Sequence, residues 1–373
     1  MLNWKKTTDL NQQGTRAAET WIRDVPEGAT TYPVDLYLGK KTNLLNLKSS
    51  IVKDLAETIR YYQDTRTQLY AGETEFVPTC PITGIATQEA QPIADVYGAQ
   101  YVQTPDTGHV YVKNRPTQKA IHDFYLSDVT YAATYTDKAA AENRLNSIAV
   151  PWRDWAVQVF EKQHGRKPKS VLDVGSGAGH FVEACRRGGM DARGVELSES
   201  SRKFARDIWG FDLDARDFLS TIDDYRGVDL VTFWGLLEHT PNPGAILSAA
   251  KEIVQASSAG MVIAKVPRWN SLSSAIQRLC SDTIIRHIDP MGHIMLFSDA
   301  SAAELYVRSG FSPVAAWYYG MDVYESLMQI SNHVGQYDAL TGTGEIQIEL
   351  QQFVDESRFS DGLTLVGVPT KPR

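Results

Sequence analysis

The feature that most constrains the fold is a regular alternation of strand-like and helical runs that begins at Ser170. Helical periodicity returns between the strand-like runs, at about 179–188, 198–208 and 243–255. Strands that alternate with helices in this way form a parallel sheet with helices on both faces. We therefore predict an α/β fold built on a seven-stranded, mostly parallel sheet. Its strands are expected at residues 170–174, 191–196, 212–215, 228–233, 260–266, 312–319 and 363–368.

Composition and charge narrow the function classes. The chain has 373 residues, and its 37 basic and 45 acidic side chains give a net charge of −8, which argues against a nucleic-acid partner. Its three cysteines are too few and too far apart for a disulfide framework. No run of 18 apolar residues is present, and the N-terminus lacks the apolar region of a secretory signal. These features predict a cytoplasmic protein without a membrane partner.

The length favours two parts, an N-terminal α+β region over residues 1–115 and a larger domain over residues 116–373. A mostly helical insertion is expected at about 320–358 in the larger domain. Near the N-terminus, one apolar helical stripe predicts a helix that either packs on its own domain or forms a homodimer contact. The stripe consists of Ile51, Val52, Leu55, Ile59 and Tyr62.

Two echoing phrases, at residues 80–84 and 104–108, have the shape of zinc knuckles. A structural zinc needs four soft ligands, but of the four knuckle positions only Cys80 is a cysteine. The other three are Thr83, Thr104 and Thr107, and His109 nearby does not complete a site. We therefore expect a ribbon-shaped subdomain held by turns and packing, without a metal.

Residues 116–150 have a helical pattern, and Pro151 begins a new helix that runs to about Gln163. Four aromatic residues in the first of these segments are expected to lie in the core or, alternatively, to roof a ligand pocket. They are Phe124, Tyr125, Tyr131 and Tyr135.

An apolar strand runs into a glycine turn within residues 171–181, VLDVGSGAGHF. Glycines let the backbone approach a ligand closely, and the helix that follows offers free N–H groups to an anionic group. The glycines lie at 175, 177 and 179, and His180 takes the place of the third glycine of the dinucleotide fingerprint. This spacing disfavours a nicotinamide-dependent enzyme, which remains an alternative.

Polar residues follow three other predicted strands, at the end of the sheet where ligands bind in open α/β folds. Glu196 lies 23 residues after Asp173 and can accept both hydroxyls of a ribose. Asp217 and Phe218 could hold the edge and face of an adenine, although Asp217 could equally cap a helix. The segment 234–243, WGLLEHTPNP, follows the fourth strand.

Together with the later HIMLFS phrase at 293–298 and Ser309-Gly310-Phe311, these motifs resemble class I S-adenosylmethionine-dependent methyltransferases with a Rossmann-like sheet. The resemblance covers about residues 115–319 and is greatest to the branch with an L-E-H-x-x-x-P motif. The segment 108–117 is similar to the link between an N-terminal zinc ribbon and the methyltransferase domain in some members. The missing knuckle cysteines put zinc in doubt. Gly235 replaces an acidic metal ligand of quinone-modifying relatives, so no metal ligand is assigned.

The resemblance implies that ten residues hold S-adenosylmethionine. They are Asp173, Gly175, Ser176 and Gly177 at the methionine part, Glu196 at the ribose, Leu197, Asp217 and Phe218 at the adenine, and Trp234 and Leu236 at the sulfonium.

The acceptor is expected to be a small molecule, with a hydroxyl oxygen of a sugar or secondary metabolite as the methylated atom. A hydroxyl must lose its proton, and histidine is the natural base near neutral pH. His239 and His293 are the candidate bases, His287 is a weaker third, and Glu238 is expected to brace the loop. The alternatives are an N- or C-methyltransferase of the same fold and a cofactor-binding subunit without turnover.

Overall fold

The computed structural model describes residues 2–8, 16–42, 44–47, 55–117, 119–121, 138–284, 286–336 and 343–370. Several residues singled out above lie outside these ranges, so their expected positions stay predictions. They are Ile51, Val52, Phe124, Tyr125, Tyr131 and Tyr135.

The described chain contains fifteen strands in three sheets. They are β1 Asn3–Thr8, β2 Arg16–Val25, β3 Gly28–Leu38, β4 Thr74–Phe76, β5 Gln91–Val96, β6 Ala99–Gln103, β7 Val110–Val112, β8 Asn114–Pro116, β9 Ser170–Val174, β10 Asp191–Val195, β11 Leu230–Trp234, β12 Met261–Pro267, β13 Met295–Leu296, β14 Phe311–Tyr318 and β15 Gly362–Pro369.

Eleven α-helices accompany the strands in the described residues. They are α1 Leu44–Leu47, α2 Leu55–Ala71, α3 Lys138–Arg144, α4 Val150–His164, α5 His180–Arg187, α6 Glu199–Phe204, α7 Pro243–Val254, α8 Leu272–Leu279, α9 Asp299–Arg308, α10 Asp322–Val334 and α11 Gly344–Glu356. Single π-helical turns extend two of them, at Leu145–Ala149 before α4 and at Ala205–Trp209 after α6.

The main sheet has nine strands in the order β1-β2-β3-β14-β15-β12-β11-β9-β10. Strands β10, β9, β11 and β12 pair in parallel, whereas β15 is antiparallel to both β12 and β14. Along β11, Leu230 and Val231 enter different apolar clusters, so both faces of the sheet are buried. The predicted α/β, Rossmann-like sheet is confirmed.

The strand count differs from the seven predicted. The segment 212–215 does not form a strand, because only Asp214 makes an isolated bridge to Val195. Three N-terminal strands extend the sheet instead: β3 pairs in parallel with β14, and β2 and β1 follow in antiparallel pairing. The sequence analysis missed them, because the alternation of strand-like and helical runs that identified the other strands begins only at Ser170.

The region around the two knuckle-like turns forms smaller antiparallel sheets, β13-β7-β6-β5 and β4-β8. Cys80 is buried in the apolar core, and its Sγ accepts a hydrogen bond from the N–H of Thr83 at 3.5 Å. The hydroxyls of Thr104 and Thr107 bond each other at 3.3 Å. Hydrogen bonds therefore occupy the knuckle positions in this structure.

The described parts of the segment 320–358 are largely helical, as α10 and α11. Residues 337–342 between them lie outside the described ranges. In the part of the chain that is described, no helix combines the length and the apolar character needed to cross a bilayer.

Candidate active site

The glycine turn after β9 holds a backbone shape that side chains disfavour. Gly175, Gly177 and Gly179 have φ values of 71°, 53° and 75°, in the left-handed region. A Cβ at Gly177 would meet nothing within 4 Å, so this part of the turn faces open space. The turn then opens α5, whose first N–H groups have no partner within the helix. The backbone is thus shaped to approach a ligand.

Glu196 follows β10 and reaches across to this turn. Its carboxylate accepts one hydrogen bond from the N–H of Gly177 and one from the N–H of Ser198, both at 2.7 Å. Beside it, the apolar side chain of Leu197 is 64% exposed. The structure therefore brings the predicted carboxylate and glycine turn together and leaves an apolar surface next to them.

Asp173 lies beneath the turn. It is only 2% exposed and accepts a hydrogen bond from the Thr232 hydroxyl at 2.7 Å. Burial raises the pKa of its carboxyl to about 7, against the opposing effect of the Thr232 hydrogen bond. Ser176 donates to the main-chain oxygen of Asp173 at 2.7 Å, which fixes the turn over the strand end. Asp173 therefore supports the loop from below.

The two residues predicted at the edge and face of the adenine, Asp217 and Phe218, lie in different environments. The Asp217 carboxylate accepts a hydrogen bond from the N–H of Leu219 at 2.8 Å, so it caps the short turn Phe218–Ser220. Phe218 is buried and meets Phe233 edge-on at 5.9 Å between ring centroids. The structure thus places Phe218 in the core, while Leu219 beside it is exposed.

Trp234 and Leu236 lie at the end of β11, as the sequence predicts. The Trp234 ring stacks on Trp152 from α4, with centroids 4.3 Å apart and planes 9° from parallel. Leu236 packs over the glycine turn, because a Cβ at Gly175 would lie 3.1 Å from its Cδ1. Both side chains border the carboxyl end of the sheet next to the turn.

Glu238, His239 and His293 converge just beyond β11. Glu238 Oε1 lies 3.8 Å from His239 Nε2 and 4.0 Å from His293 Nε2. The first two belong to the short turn Leu237–His239, and His293 comes from the segment before β13. The two predicted bases and the predicted brace therefore share one cluster.

The orientation of His293 is set by its other ring nitrogen. Nδ1 donates to the main-chain oxygen of His287 at 2.7 Å, so Nδ1 carries the proton and Nε2 keeps its lone pair. Burial, with His239 nearby, lowers the pKa of His293 well below its usual value. Burial also raises the pKa of Glu238, whose Oε2 has no hydrogen-bond partner among the described residues.

The same three side chains fit a divalent cation. Each offers one ligand atom, and these atoms lie within 4.8 Å of one another. A carboxylate with two imidazoles is a common donor set for transition metals, and the Nδ1–H bond of His293 is the kind of outer contact that orients a ligating histidine. The sequence analysis weighed the Glu and His of this motif as metal ligands but assigned no metal, because Gly235 stands in place of an acidic ligand; it did not add His293 to the set.

Two residues near this cluster were missed. Lys265 lies on β12 in register with Trp234, and Tyr319 follows β14. The one available signal was a lysine inside the apolar run of residues 260–266.

Residues 146–316, just under half of the chain, match a family model described as a methyltransferase domain. This part of the chain is similar to that family. It contains the glycine turn, Glu196 and the Glu238–His239–His293 cluster.

Among curated relatives of this chain are proteins named ubiquinone biosynthesis O-methyltransferase. The one from Bordetella avium is 29% identical over 137 residues, which cover 33% of this chain and 53% of that protein. The one from Thiobacillus denitrificans is 33% identical over 119 residues, covering 30% and 48%. The chain thus spans about half the length of the curated relatives it matches.

Solved structures similar to this chain include a SAM-dependent methyltransferase from Archaeoglobus fulgidus. It is 16% identical with a TM-score of 0.39, over 61% of this chain and 96% of that one. Magnesium protoporphyrin IX methyltransferase from Synechocystis is 11% identical with a TM-score of 0.42, over 68% of this chain and all of that one.

Proposed function

We propose that this chain transfers a methyl group from S-adenosylmethionine to a hydroxyl oxygen of a small-molecule acceptor. The observation that carries the proposal is the Glu196 carboxylate bonded to the N–H of Gly177 in the glycine turn. A carboxylate at the tip of the strand next to such a turn is suited to a ribose. The names of the curated relatives support oxygen as the methylated atom.

The cofactor would lie along the carboxyl ends of β10, β9 and β11. Glu196 would accept the ribose hydroxyls, and Leu197 would cover the adenine, with Asp217 at its edge. Glycines at 175 and 177, with Ser176, would border the methionine part, and Asp173 would hold the turn from below. Trp234 and Leu236 would border the sulfur.

Methyl transfer from a sulfonium requires mainly alignment of the acceptor oxygen, methyl carbon and sulfur, and orientation of this kind supplies up to ~7–11 kcal/mol. When bound, S-adenosylmethionine supplies an activated methyl group. His293 Nε2 would take the proton of the acceptor hydroxyl, so that its oxygen could receive the methyl group. Glu238, 4.0 Å away, stabilises the imidazolium that results. The products are a methyl ether and S-adenosylhomocysteine.

A second candidate mechanism keeps the reaction and replaces the base with a bound divalent cation. The convergence of Glu238, His239 and His293 favours it. These three side chains would hold the cation, and its positive charge would supply activation of the acceptor hydroxyl. Turnover that survives exhaustive chelation supports the histidine base, and turnover lost on chelation and restored by added metal supports the cation.

Ligand binding to the purified chain tests the proposal. We expect S-adenosylhomocysteine to raise the melting temperature, because a ligand that binds the folded state stabilises it. NAD at the same concentration is expected to leave the melting temperature unchanged. Stabilisation by NAD and not by S-adenosylhomocysteine would contradict the proposal and favour a nicotinamide-dependent enzyme.

A further inference from the structure

Lys265 places a positive charge inside the sheet next to the candidate transfer site. It lies on β12 in register with Trp234 of β11 on one side and Thr364 of β15 on the other. In the described residues, no hydrogen bond or ion pair joins its Nζ to a partner; its Nζ lies 5.6 Å from the centroid of the Tyr319 ring. Lys265 is half-buried, and an ammonium withdrawn from water without an ion pair is costly, so its presence calls for an explanation.

A second lysine approaches the same ring. Lys40 Nζ lies 5.9 Å from the Tyr319 centroid and donates to the Thr42 hydroxyl at 2.8 Å and to the Ser147 main-chain oxygen at 3.0 Å. Both acceptors are neutral. Burial, then the charges of Lys265 and Arg144, lower the pKa of Lys40 to about 7. The two cations therefore destabilise each other's charge.

The acids of this region do not neutralise the pair. Burial lowers the pKa of Lys265, and among the acids Asp361 raises it the most. The Asp361 carboxylate already pairs with Arg286 and accepts a hydrogen bond from the Ser273 hydroxyl. Asp355 acts on Lys40, yet burial raises the pKa of its carboxyl to about 8, so it is mostly uncharged at neutral pH. Glu238 also acts on Lys265, but among the described residues no carboxylate forms an ion pair with either lysine.

Three neutral hydrogen-bond donors lie in the same place. Burial raises the pKa of the Tyr319 hydroxyl, and the Thr364 hydroxyl and the Trp152 indole N–H approach it closely enough to oppose that rise. The three polar atoms are buried, and none makes a well-formed hydrogen bond within the described residues. All three can donate to an oxygen anion.

The place of Lys265 in the strand order shows on which side of the candidate transfer site it lies. Along the sheet, Glu196 and the glycine turn follow β10 and β9, Trp234 ends β11, and Lys265 is on β12. Neighbouring strands lie about 4.8 Å apart, so Lys265 is beyond the sulfur position and on the side away from the ribose.

We propose that Lys40 and Lys265, facing the Tyr319 ring, bind an anionic group of the acceptor, a carboxylate or a phosphate. The inference rests on the proposed methyl transfer and adds the acceptor class to it. The lysines would pair with the anion, and the Tyr319, Thr364 and Trp152 donors would complete its hydrogen bonds. Acceptors that lack the anion would bind poorly because the two charges would stay unpaired.

Ligand-observed NMR on the chain loaded with S-adenosylhomocysteine tests the proposal, with benzoate, phenyl phosphate and neutral benzamide as probes. We expect at least one of the two anions to bind and benzamide not to bind. Lys265→Met should weaken anion binding at least about 10-fold, since a charge-assisted bond contributes about 1.5–3 kcal/mol. Lys40→Met should weaken it in the same direction. Lys41→Met is the matched control, because Lys41 is exposed and paired with Glu349, and it should leave anion binding unchanged.

The same titrations without S-adenosylhomocysteine distinguish the acceptor's anion from the carboxylate of the cofactor. If S-adenosylhomocysteine displaces the anion, or if Lys265→Met weakens S-adenosylhomocysteine as strongly as the anion, the lysines hold the cofactor and the proposal is wrong. It is also wrong if neither anion binds or if both lysine variants bind it like the wild type. Should Lys265→Met fail to fold, Lys40→Met against Lys41→Met decides the question. If the wild type binds S-adenosylhomocysteine normally, the proposed methyl transfer stands even where the proposal for the lysines fails.

Discussion

At the scale of single residues, the proposed base His293 has its proton position fixed by one hydrogen bond. Its Nδ1–H is held by the main-chain oxygen of His287, and its Nε2 faces the cluster with Glu238. The hydrogen bond fixes which nitrogen can accept a proton, and the carboxylate nearby favours the charged form that results. Positioned proton transfer of this kind contributes about 10²–10⁴-fold to rate.

Replacing His293 should therefore slow turnover without removing the cofactor site. We expect His293→Ala to lower kcat at least about 100-fold and to change S-adenosylhomocysteine affinity less than about twofold. His333→Ala, at an exposed position near the end of α10, is the control and should behave like the wild type. Steady-state kinetics together with calorimetry check both parts, and unchanged turnover in His293→Ala would remove it as the base.

The pH dependence of the reaction should reflect the environment of the same residue. Burial lowers the pKa of His293, so the unprotonated, base-competent form persists below the usual titration range of histidine. We expect kcat/KM to stay on its plateau as the pH falls through about 6.5 and to decline only at lower pH. A decline centred at or above pH 6.5 would contradict this assignment.

Sequence patterns located some of these residues and not others. The glycine turn and Glu196 were predictable because strand ends and turn residues are encoded locally. The burial of Phe218 was not, because it depends on Phe233 of a different strand. Lys265 and Lys40 were missed since only the folded sheet brings both to Tyr319.

At the scale of elements, the strands that carry the site are fixed at their opposite ends. Asp229, just before β11, accepts hydrogen bonds from Arg166 at 2.7 and 2.9 Å, from the N–H of Lys169 at 2.8 Å and from Ser257 at 2.6 Å. These contacts tie the starts of β9, β11 and β12 together. The Arg166 guanidinium and the other donors outweigh burial and lower the pKa of Asp229 to about 2.

Loss of that carboxylate should destabilise the sheet and spare the site. We expect Asp229→Asn to lower the free energy of unfolding by about 1–3 kcal/mol at pH 7, with unchanged S-adenosylhomocysteine affinity. Because the folded pKa is depressed, the contribution is present above about pH 3.9 and is lost as the pH falls toward 2. Urea unfolding measures the change, with Asp212→Asn as the control because it removes only an exposed ion pair with Arg206. An equal loss of unfolding free energy in both variants would contradict the role of Asp229.

Element prediction was accurate where the alternation is regular. The strand predicted at 170–174 is β9 with the same bounds, and the helix predicted at 243–255 is α7 with one residue fewer. The strand at 212–215 was wrong because only Asp214 bridges to β10. Strand β3 was not predicted, because its partner β14 lies far away in the sequence. The next two strands toward that edge of the sheet, β2 and β1, also lie before the regular alternation that begins at Ser170.

At the scale of the whole molecule, the N-terminal strands share one sheet with the strands that surround the candidate site. Glu304 on α9 is fully buried and accepts hydrogen bonds from Arg23 of β2 at 2.8 and 2.9 Å and from Trp4 of β1 at 3.2 Å. Together with the pairing of β3 and β14, this contact predicts that both parts unfold together.

Removing the Glu304 carboxylate tests that coupling. Glu304→Ala leaves Arg23 without its acid, and breaking a buried ion pair costs about 3–5 kcal/mol. We expect one cooperative thermal transition at a lower temperature. Glu349→Ala, which removes the exposed pair with Lys41, should leave the midpoint nearly unchanged. An additional early transition confined to the N-terminal strands would contradict a shared folding unit.

The most direct test of the account is a calorimetric titration of S-adenosylhomocysteine into the wild type, Glu196→Ala and the exposed neighbour variant Glu199→Ala. The account predicts one site per wild-type chain, the same affinity for Glu199→Ala, and a loss of at least about 100-fold for Glu196→Ala, because two charge-assisted hydrogen bonds to the ribose are removed. Wild-type affinity in Glu196→Ala, or no binding to the wild type, would contradict it.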